Sequence, residues 1–250
     1  MSASRAAHLA ELALGMDPFH EPRRDDCPWC GSKSLRTRLT AARFRLDECH
    51  DCAHAFQNPC LAPPREGEFS HRRLLATARA MLRFGEPESW LDIGTGDAAF
   101  PAAAKEVFPY TSFDGVDPTA RVERARAEEH VEEAYAGDLT NPHLAAHLRA
   151  RYDVVSLLHR LAHTPNPREH LQAALTALRP GGHVLVELPD PQSAFAKLLG
   201  RWWYPHTQPR HLIPQENIRT ELESQGCEVI TATRRPLSNT YAVIARKQPA

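Results

Sequence analysis

The chain has 250 residues, of which 42% are hydrophobic and 24% are charged, and its formal net charge is −1. This composition is typical of a soluble globular protein, and the length allows one full α/β domain with a small appendage rather than two large domains. No apolar run approaches the ~20 residues that span a bilayer, and residues 1–20 lack the apolar core of a secretory signal. We therefore expect a cytoplasmic protein without membrane partners, and the balanced charge gives no overall field that would attract nucleic acid.

The amino-terminal part is predicted to contain a helical segment and a metal module. Within residues 1–20, small and apolar side chains recur at helical spacing before the Asp17-Pro18 break. Four of the six cysteines then form two pairs, with eighteen residues between the pairs: Cys27, Cys30, Cys49 and Cys52. This spacing is typical of a zinc site, since thiolates two residues apart can share one ion and two such turns complete a tetrahedron. We expect a structural Zn²⁺ in a zinc ribbon of two hairpins over residues 21–64.

Residues 65–250 are predicted to form the main domain. A helix is expected over residues 70–84, and from Ser89 onward apolar strands alternate with helical segments, as in a parallel sheet covered on both faces. The predicted strands are Trp90–Ile93, Thr111–Val116, Glu133–Ala136, Asp153–Leu158, His183–Leu188, Glu228–Thr233 and Tyr241–Ala245. A long connection over 189–214 is expected to contain a short helix and a lid.

A glycine-rich turn follows the first of these strands. The segment Leu91-Asp-Ile-Gly-Thr-Gly-Asp-Ala-Ala98 leads from a predicted strand into a helix, a context in which the backbone can approach a ligand closely. Asp117 ends the next strand, twenty-one residues after Gly96, where a carboxylate can bind both hydroxyls of a ribose. Asp138 follows the third strand. This order of acids differs from the dinucleotide pattern, which depends on a G-x-G-x-x-G turn.

The segments Leu91–Gly96, Gly115-Val-Asp117, Gly137-Asp138-Leu139, Tyr152–His163 and Leu178–Gly182 occur in the order found in one family. The sequence resembles the class I S-adenosylmethionine-dependent methyltransferases over about residues 70–250. The resemblance implies a Rossmann-like, seven-stranded, mostly parallel sheet with helices on both faces, and S-adenosyl-L-methionine as cofactor. It further implies that Gly94 and Gly96 let the loop run close to the methionine part of the cofactor, and that Asp92 supports the loop or the ammonium group. Asp117 would bind the ribose and Asp138 the adenine. The chain departs from the family pattern at the third small position of the loop, which is Ala98 and not glycine, and at Asp97 before it, whose negative charge would lie near the cofactor's carboxylate.

The candidate catalytic residues are His159 and His211. His159 follows the fourth predicted strand of the main domain, at the edge where methyl acceptors bind, and an imidazole near neutral pH suits proton removal from a hydroxyl or amine. His211 belongs to a segment rich in aromatic and basic residues, and we weigh it as a second acid or base. In that segment Trp202, Trp203 and Tyr204 are expected to stack on a planar acceptor, and Arg210 to meet an anionic group. Packing of these residues against the sheet is the alternative.

Three functions remain open from the sequence. The first is direct, in-line methyl transfer to the oxygen or nitrogen of a small natural product or metabolite. The second is methylation of RNA docked on the ribbon, where Lys33, Arg36, Arg38, Arg43 and Arg45 lie between the cysteine pairs; Asp47, Glu48 and Asp51 offset three of these charges. The third is a non-catalytic cofactor-binding protein that docks a partner, because Asp97, Arg160 and Ala162 depart from the family in the expected active region.

Overall fold

The computed structural model describes residues 22–41, 44–60, 70–199, 209–235 and 239–249. They form two sheets, one of four strands and one of seven. The helical segment predicted within 1–20, and the residues Trp202, Trp203 and Tyr204, lie outside these ranges. Within the described ranges, no helix combines the length and apolar character that a membrane crossing needs.

The four-stranded sheet contains the cysteine pairs. It is antiparallel throughout and consists of β1 (Leu35–Ala41), β2 (Phe44–Cys49), β3 (Ala55–Gln57) and the two-residue β9 (His211–Leu212). The fourth strand differs from the expectation, because 211–212 was assigned to the lid insertion of the main domain. Instead, Ala55 pairs with Leu212 and Phe56 with His211. The ribbon is therefore completed by a segment more than 150 residues further along the chain.

The seven-stranded sheet has the order β10-β11-β8-β7-β4-β5-β6. The strands β4 to β8 pair in parallel, and β10 and β11 add two antiparallel strands at one edge. The strand bounds are β4 (Ser89–Ile93), β5 (Ser112–Asp117), β6 (Ala134–Ala136), β7 (Tyr152–Leu158), β8 (Leu178–Pro189), β10 (Cys227–Arg235) and β11 (Thr240–Lys247). All seven predicted strands are confirmed. β8 is longer than expected, because it already begins within the turn predicted at Leu178–Gly182.

Helices connect these strands. Their bounds are α1 (His71–Arg79), α2 (Ala99–Ala104), α3 (Arg121–Ala127), α4 (Pro142–Leu148), α5 (Pro167–Ala177), α6 (Ala194–Leu199) and α7 (Gln215–Ser224). Short 3₁₀ turns occur at Leu82–Phe84 and Arg160–Ala162, so the predicted helix over 70–84 ends early at Arg79. The short helix expected after residue 189 is α6.

Both faces of the seven-stranded sheet are buried. Successive side chains of a strand point to opposite sides, and each side packs in its own apolar cluster. Leu91 and Val155 belong to one apolar cluster, whereas their neighbours Trp90 and Val154 belong to another. Trp90 is fully buried against the rings of Phe100, Phe108 and Phe113, at centroid distances of 5.4 to 5.7 Å. Between β4 and β7 the chain order reverses, which in open α/β sheets opens a ligand crevice at the carboxyl edge.

Candidate functional site at the carboxyl edge

The turn after β4 brings the backbone close to the crevice. Gly94 and Gly96 both have positive φ, +78° and +55°, a region that disfavours residues with a Cβ. A Cβ on Gly94 would lie 2.5 Å from Cδ of Arg160, so the side chain of Arg160 covers this glycine. The N–H groups of Gly94 and Thr95 donate to the carbonyl of Val116, at 2.8 and 3.2 Å. These hydrogen bonds anchor the turn to β5. The positive φ and the close neighbours restrict both positions to glycine, so the backbone itself lines this part of the crevice.

Asp92 lies beneath this turn and is almost completely buried. Trp90 Nε1 donates to Ser156 Oγ at 2.9 Å, and Ser156 Oγ donates in turn to Asp92 Oδ1 at 2.6 Å. Burial raises the pKa of Asp92 to about 6, and the charge of Asp117 adds to this rise. A cation bound above the turn would favour the ionised form of Asp92.

Asp117 and Asp138 end neighbouring strands. Asp117 Oδ2 accepts the N–H of Gly96 at 3.1 Å, and Oδ1 accepts the N–H of Thr119 at 2.9 Å. Asp138 Oδ1 accepts the N–H and the hydroxyl of Thr140, and Oδ2 lies 2.8 Å from His170 Nε2 and 3.5 Å from a guanidinium nitrogen of Arg160. Burial opposes ionisation of Asp138, but the hydrogen bonds from His170 and Thr140 hold its pKa well below the usual range. Asp117 thus joins its own turn to the glycine turn, and Asp138 caps its own turn as an anion.

Asp97 does not carry an isolated negative charge. Its carboxylate contacts Arg121 at 2.8 Å and Arg124 at 3.0 Å, and both arginines lie on α3. Hydrogen bonds from Arg121 lower the pKa of Asp97. The departure noted in the sequence is therefore compensated by two cations, and a cofactor carboxylate would not face an unbalanced acid.

His159 lies in a buried charged cluster where α1, β7, β8, β10 and β11 meet. Its Nε2 is 3.0 Å from Arg73 and 3.4 Å from Glu187 Oε1. Glu187 also accepts from Arg73, Thr77 and Arg235, at 2.5 to 3.3 Å. Burial opposes ionisation of Glu187, yet the hydrogen bond with His159 and the charge of Arg73 lower its pKa to about 2. Burial lowers the pKa of His159 and so favours the neutral imidazole, whereas the carboxylate of Glu187 acts in the opposite direction.

Sequence reasoning missed Glu187, Arg73 and Arg235. Glu187 interrupts an apolar strand, and an acid inside such a run signals a buried polar contact. Arg73 follows His71 and Arg72 in an ordinary polar helix face, and Arg235 comes after another arginine at a strand end. These two positions carry no sequence signal, because their role depends on which strands the fold brings together.

The other candidate residues of the acceptor region are distributed differently. His211 is buried in the ribbon sheet, where Nδ1 lies 3.2 Å from His54 Nε2 and Nε2 lies 2.8 Å from the carbonyl oxygen of Thr164. Burial holds the pKa of His211 well below its ordinary value. Arg210 is half-buried, its carbonyl accepts the N–H of Gln57, and burial lowers the pKa of its side chain. Acid–base chemistry by His211 remains a prediction.

The four cysteines form one cluster. Their Sγ atoms all lie within 4.8 Å of one another, and the contacts Cys27–Cys52 and Cys30–Cys49 both measure 3.6 Å. A tetrahedral Zn²⁺ with bonds of about 2.3 Å would separate its sulfurs by about 3.8 Å. The donor set and its spacing therefore fit a four-thiolate zinc site, which would be structural because all four positions are taken by protein ligands.

Comparison with known proteins agrees with this geometry. Residues 68–232 match the family model described as "Methyltransferase domain". A ubiquinone biosynthesis O-methyltransferase of Cronobacter sakazakii is 36% identical over 96 residues, which cover 38% of this chain and 39% of that protein. One of Pectobacterium carotovorum is 34% identical over 128 residues, which cover 48% and 52%. The chain thus matches about half the length, or less, of these curated relatives.

The fold is also found in solved structures. The N-methyltransferase NodS of Bradyrhizobium japonicum, in complex with S-adenosyl-L-homocysteine, superposes with a TM-score of 0.51 at 18% identity, covering 72% of this chain and 86% of that one. At this identity the likeness concerns the fold alone. The match of the family model to most of the chain carries the assignment, and the crevice with its glycine turn and three strand-end acids accords with it. The chain belongs to the methyltransferase-domain family and has the class I S-adenosylmethionine-dependent methyltransferase fold.

Proposed function

We propose that this protein transfers the methyl group of S-adenosyl-L-methionine to a hydroxyl oxygen of a small molecule. The observation that carries the proposal is the position of His159. Its imidazole is held at the carboxyl edge of β7 between Glu187 and Arg73, and the next residue, Arg160, covers the glycine turn. The named activity of the curated relatives, O-methylation in ubiquinone biosynthesis, supports an oxygen acceptor.

The residues that would hold the cofactor are those around the glycine turn. Gly94 and Gly96 would allow the methionine part to pass, Asp92 would support its ammonium group, and Asp117 and Asp138 would bind the ribose and the adenine amino group. When bound, S-adenosylmethionine supplies an activated methyl group, so no covalent enzyme intermediate is needed. Arg160 would turn aside from Gly94, since its side chain now fills the space above that residue.

The acceptor would be activated by His159. A neutral imidazole can take the hydroxyl proton as the oxygen attacks, and the carboxylate of Glu187 would stabilise the resulting imidazolium. Glu187 is suited to this task because its lowered pKa keeps it ionised at all relevant pH values. Arg73 and Arg235 hold Glu187 in place through ion pairs. Exclusion of water from the crevice would favour the transfer.

The charge distribution of the ribbon gives little support to RNA docking. Arg36 and Arg38 both contact Glu48, Arg45 contacts Asp47, and Lys33 lies near Asp25. Four of the five cations that favoured this alternative are thus paired with acids, and Arg43 lies outside the described residues. A phosphate-binding surface needs cations that are free to replace counterions.

The proposal is tested first by cofactor binding. The zinc-loaded protein should bind S-adenosylhomocysteine by calorimetry, and Asp117→Asn should weaken this binding at least about tenfold, because the amide loses the charge and one of the two oxygens that accept from Gly96 and Thr119. Glu123→Gln, an exposed change on α3, is the control and should leave the affinity unchanged. No binding to the wild-type chain at millimolar ligand would refute the proposal.

Turnover distinguishes the acceptor classes. Incubation with S-adenosylmethionine and the low-molecular-weight filtrate of a bacterial extract should produce S-adenosylhomocysteine, whereas total RNA should not. His159→Gln should reduce the rate by about 10²-fold or more while leaving cofactor affinity intact. A wild-type rate in that variant would remove His159 from the mechanism, and product formation with RNA alone would favour the alternative function.

A further inference from the structure

Two buried histidines connect the cysteine cluster with the crevice. His54 Nδ1 lies 3.6 Å from Cys27 Sγ, and its Nε2 lies 3.2 Å from His211 Nδ1. His211 Nε2 lies 2.8 Å from the carbonyl oxygen of Thr164. The rings of the two histidines are only 3% exposed or less, and their centroids are 5.1 Å apart. The carbonyl of His54 also accepts the N–H of Cys49 at 2.9 Å, so His54 is tied to the cysteine cluster, and its ring leads through His211 to the turn 159–164.

The chemistry of the groups fixes the direction of two of these bonds. A carbonyl oxygen only accepts, so Nε2 of His211 must carry the proton that Thr164 receives. In a neutral imidazole the other nitrogen then accepts, so His54 donates its Nε2–H to His211 Nδ1. The carbonyl of Thr164 thus depends on His211, and His211 depends on His54, whose backbone is bonded to Cys49 and whose ring lies against Cys27.

The turn that receives this path is the one that carries the candidate catalytic residue. His159 begins it with φ of +61°, a conformation that is unfavourable for a residue with a side chain and persists only where the surroundings enforce it. Its N–H donates to the carbonyl of Glu187 at 2.7 Å, which fixes the entry of the turn. The bond from His211 to Thr164 fixes its exit.

Further contacts join the cysteine loops to the residues near this exit. Arg24 donates to Asn166 Oδ1 at 3.3 Å, and Arg168 donates to the carbonyl of Trp29 at 3.5 Å. Asn217 donates to the carbonyl of Cys52 at 3.0 Å. These contacts place the ribbon beside the turn, but they involve the segments that follow it, whereas the histidine path ends on the turn itself.

We propose that His54 and His211 are positioning residues that couple the metal site to the turn 159–164 and hold this turn so that His159 and Arg160 face the crevice. The assignment of His159 and Arg160 to the reaction rests on the proposed function, but the coupling itself does not. The ribbon would then act as a metal-dependent brace of the acceptor side of the site.

The test measures exchange of the backbone amides in a peptide covering residues 158–166 by mass spectrometry. The zinc-loaded wild type is compared with the zinc-loaded variants His54→Phe and His211→Gln, at one equivalent of zinc each. Phenylalanine keeps the ring contacts of His54 but cannot donate to His211, and glutamine keeps a donor for Thr164 but has no ring nitrogen for His54. His183→Phe is the matched control, since His183 stacks on Phe84 at the opposite edge of the sheet.

Both variants should keep their zinc and exchange the amides of residues 160–164 at least about tenfold faster than the wild type. The amides of α3 should remain as protected as before, and His183→Phe should resemble the wild type throughout. Removal of zinc from the wild type should produce the same rise at 160–164. If His54→Phe does not fold, His211→Gln alone decides. Wild-type exchange at 160–164 in a zinc-loaded variant would overturn the proposal.

A kinetic readout separates positioning from general damage. The zinc-loaded variants should lose kcat about tenfold with less than a twofold change in the affinity for S-adenosylhomocysteine, because the cofactor acids lie on other turns. If the wild type fails to bind S-adenosylhomocysteine, the proposed function fails, while the exchange experiment still decides the coupling. If the ligand binds normally and the exchange at 160–164 does not respond, only the coupling fails.

Discussion

Two buried acids show how the partner groups decide whether burial raises the pKa of a carboxyl group. Asp92 and Glu187 are both less than 5% exposed. Asp92 has a hydroxyl donor, Ser156, and its pKa rises to about 6 because burial dominates. For Glu187, a histidine and two arginines overcome the same burial, and its pKa falls to about 2. The first acid can respond to a bound cation, whereas the second is a fixed charge.

Replacement of Asp92 by asparagine should increase stability in a pH-dependent way. Because the pKa of Asp92 is raised in the folded state, its favourable contribution is complete below the unfolded pKa of about 4 and is lost as pH rises through about 6. At pH 8 the buried charge costs up to about 3 kcal/mol, and asparagine removes this cost while still accepting from Ser156. Urea unfolding should therefore show a larger gain for Asp92→Asn at pH 8 than at pH 4.5.

The control for this experiment is Glu123→Gln, which removes an exposed charge on α3. It should change the free energy of unfolding by less than about 0.5 kcal/mol at either pH. Equal effects of Asp92→Asn at pH 4.5 and pH 8 would contradict the raised pKa. The same variant should bind S-adenosylhomocysteine more weakly, so stability and ligand binding would change in opposite directions.

The strand-end acids could be located from the sequence, whereas their neighbours could not. Asp92, Asp117 and Asp138 each lie in or directly after a predicted strand, and parallel strands bring their carboxyl ends to one edge. The arginines that compensate Asp97 lie 24 and 27 residues further along the chain, on a helix whose orientation the sequence does not specify. The cluster around Glu187 likewise combines residues from five elements, which only the folded chain brings together.

At the level of elements, the sequence predicts the ribbon within residues 21–64, and the sheet that carries the cysteine pairs also includes β9 from the region after residue 209. The cysteine spacing predicts that the four thiols meet, and the structure brings them together, because each pair is set by a local turn. The fourth strand, His211–Leu212, has two residues and no periodicity that could reveal it. Its pairing with β3 is decided by tertiary contacts, including the bond from Gln57 to the carbonyl of Arg210 at 2.9 Å.

Loss of one metal ligand should release the ion and destabilise the protein. Cys30 is exposed, so Cys30→Ser itself disturbs little packing, and its effect should arise through the metal. We expect the zinc content to fall from one equivalent to below about 0.2, and the Tm to fall by at least about 5 °C. Metal analysis and thermal unfolding measure the two quantities.

Cys227→Ser provides the matched control, because Cys227 is a buried thiol at the start of β10 and lies outside the cysteine cluster. This variant should keep one equivalent of zinc, although it loses some stability through burial of a hydroxyl. Retention of zinc by Cys30→Ser would show that the remaining three thiolates suffice and would contradict a four-ligand site.

At the scale of the whole molecule, the ribbon and the seven-stranded sheet share one apolar core. Cys27, Trp29 and Cys49 belong to the same buried cluster as Leu91, Val155 and Val186 of the central strands. Hydrogen bonds from Arg168 and Asn217 reach the carbonyls of Trp29 and Cys52. The reversal of chain order between β4 and β7 opens the ligand crevice at the carboxyl edge of the sheet. The ribbon packs beside this carboxyl edge.

This shared core predicts that the metal site and the sheet unfold together. With Co²⁺ in place of zinc, the sulfur-to-cobalt absorption reports the ribbon and far-ultraviolet circular dichroism reports the sheet and helices. The two signals should be lost with midpoints within about 2 °C of each other, as in a single cooperative transition. The double variant Arg168→Ala/Asn217→Ala removes the two hydrogen bonds to the cysteine loops. In this variant the midpoint of the cobalt signal should fall below the midpoint of the dichroism signal. Loss of the cobalt signal well below the dichroism midpoint in the wild type would instead mean that the ribbon is an independent module and that its contacts with the sheet contribute little to stability.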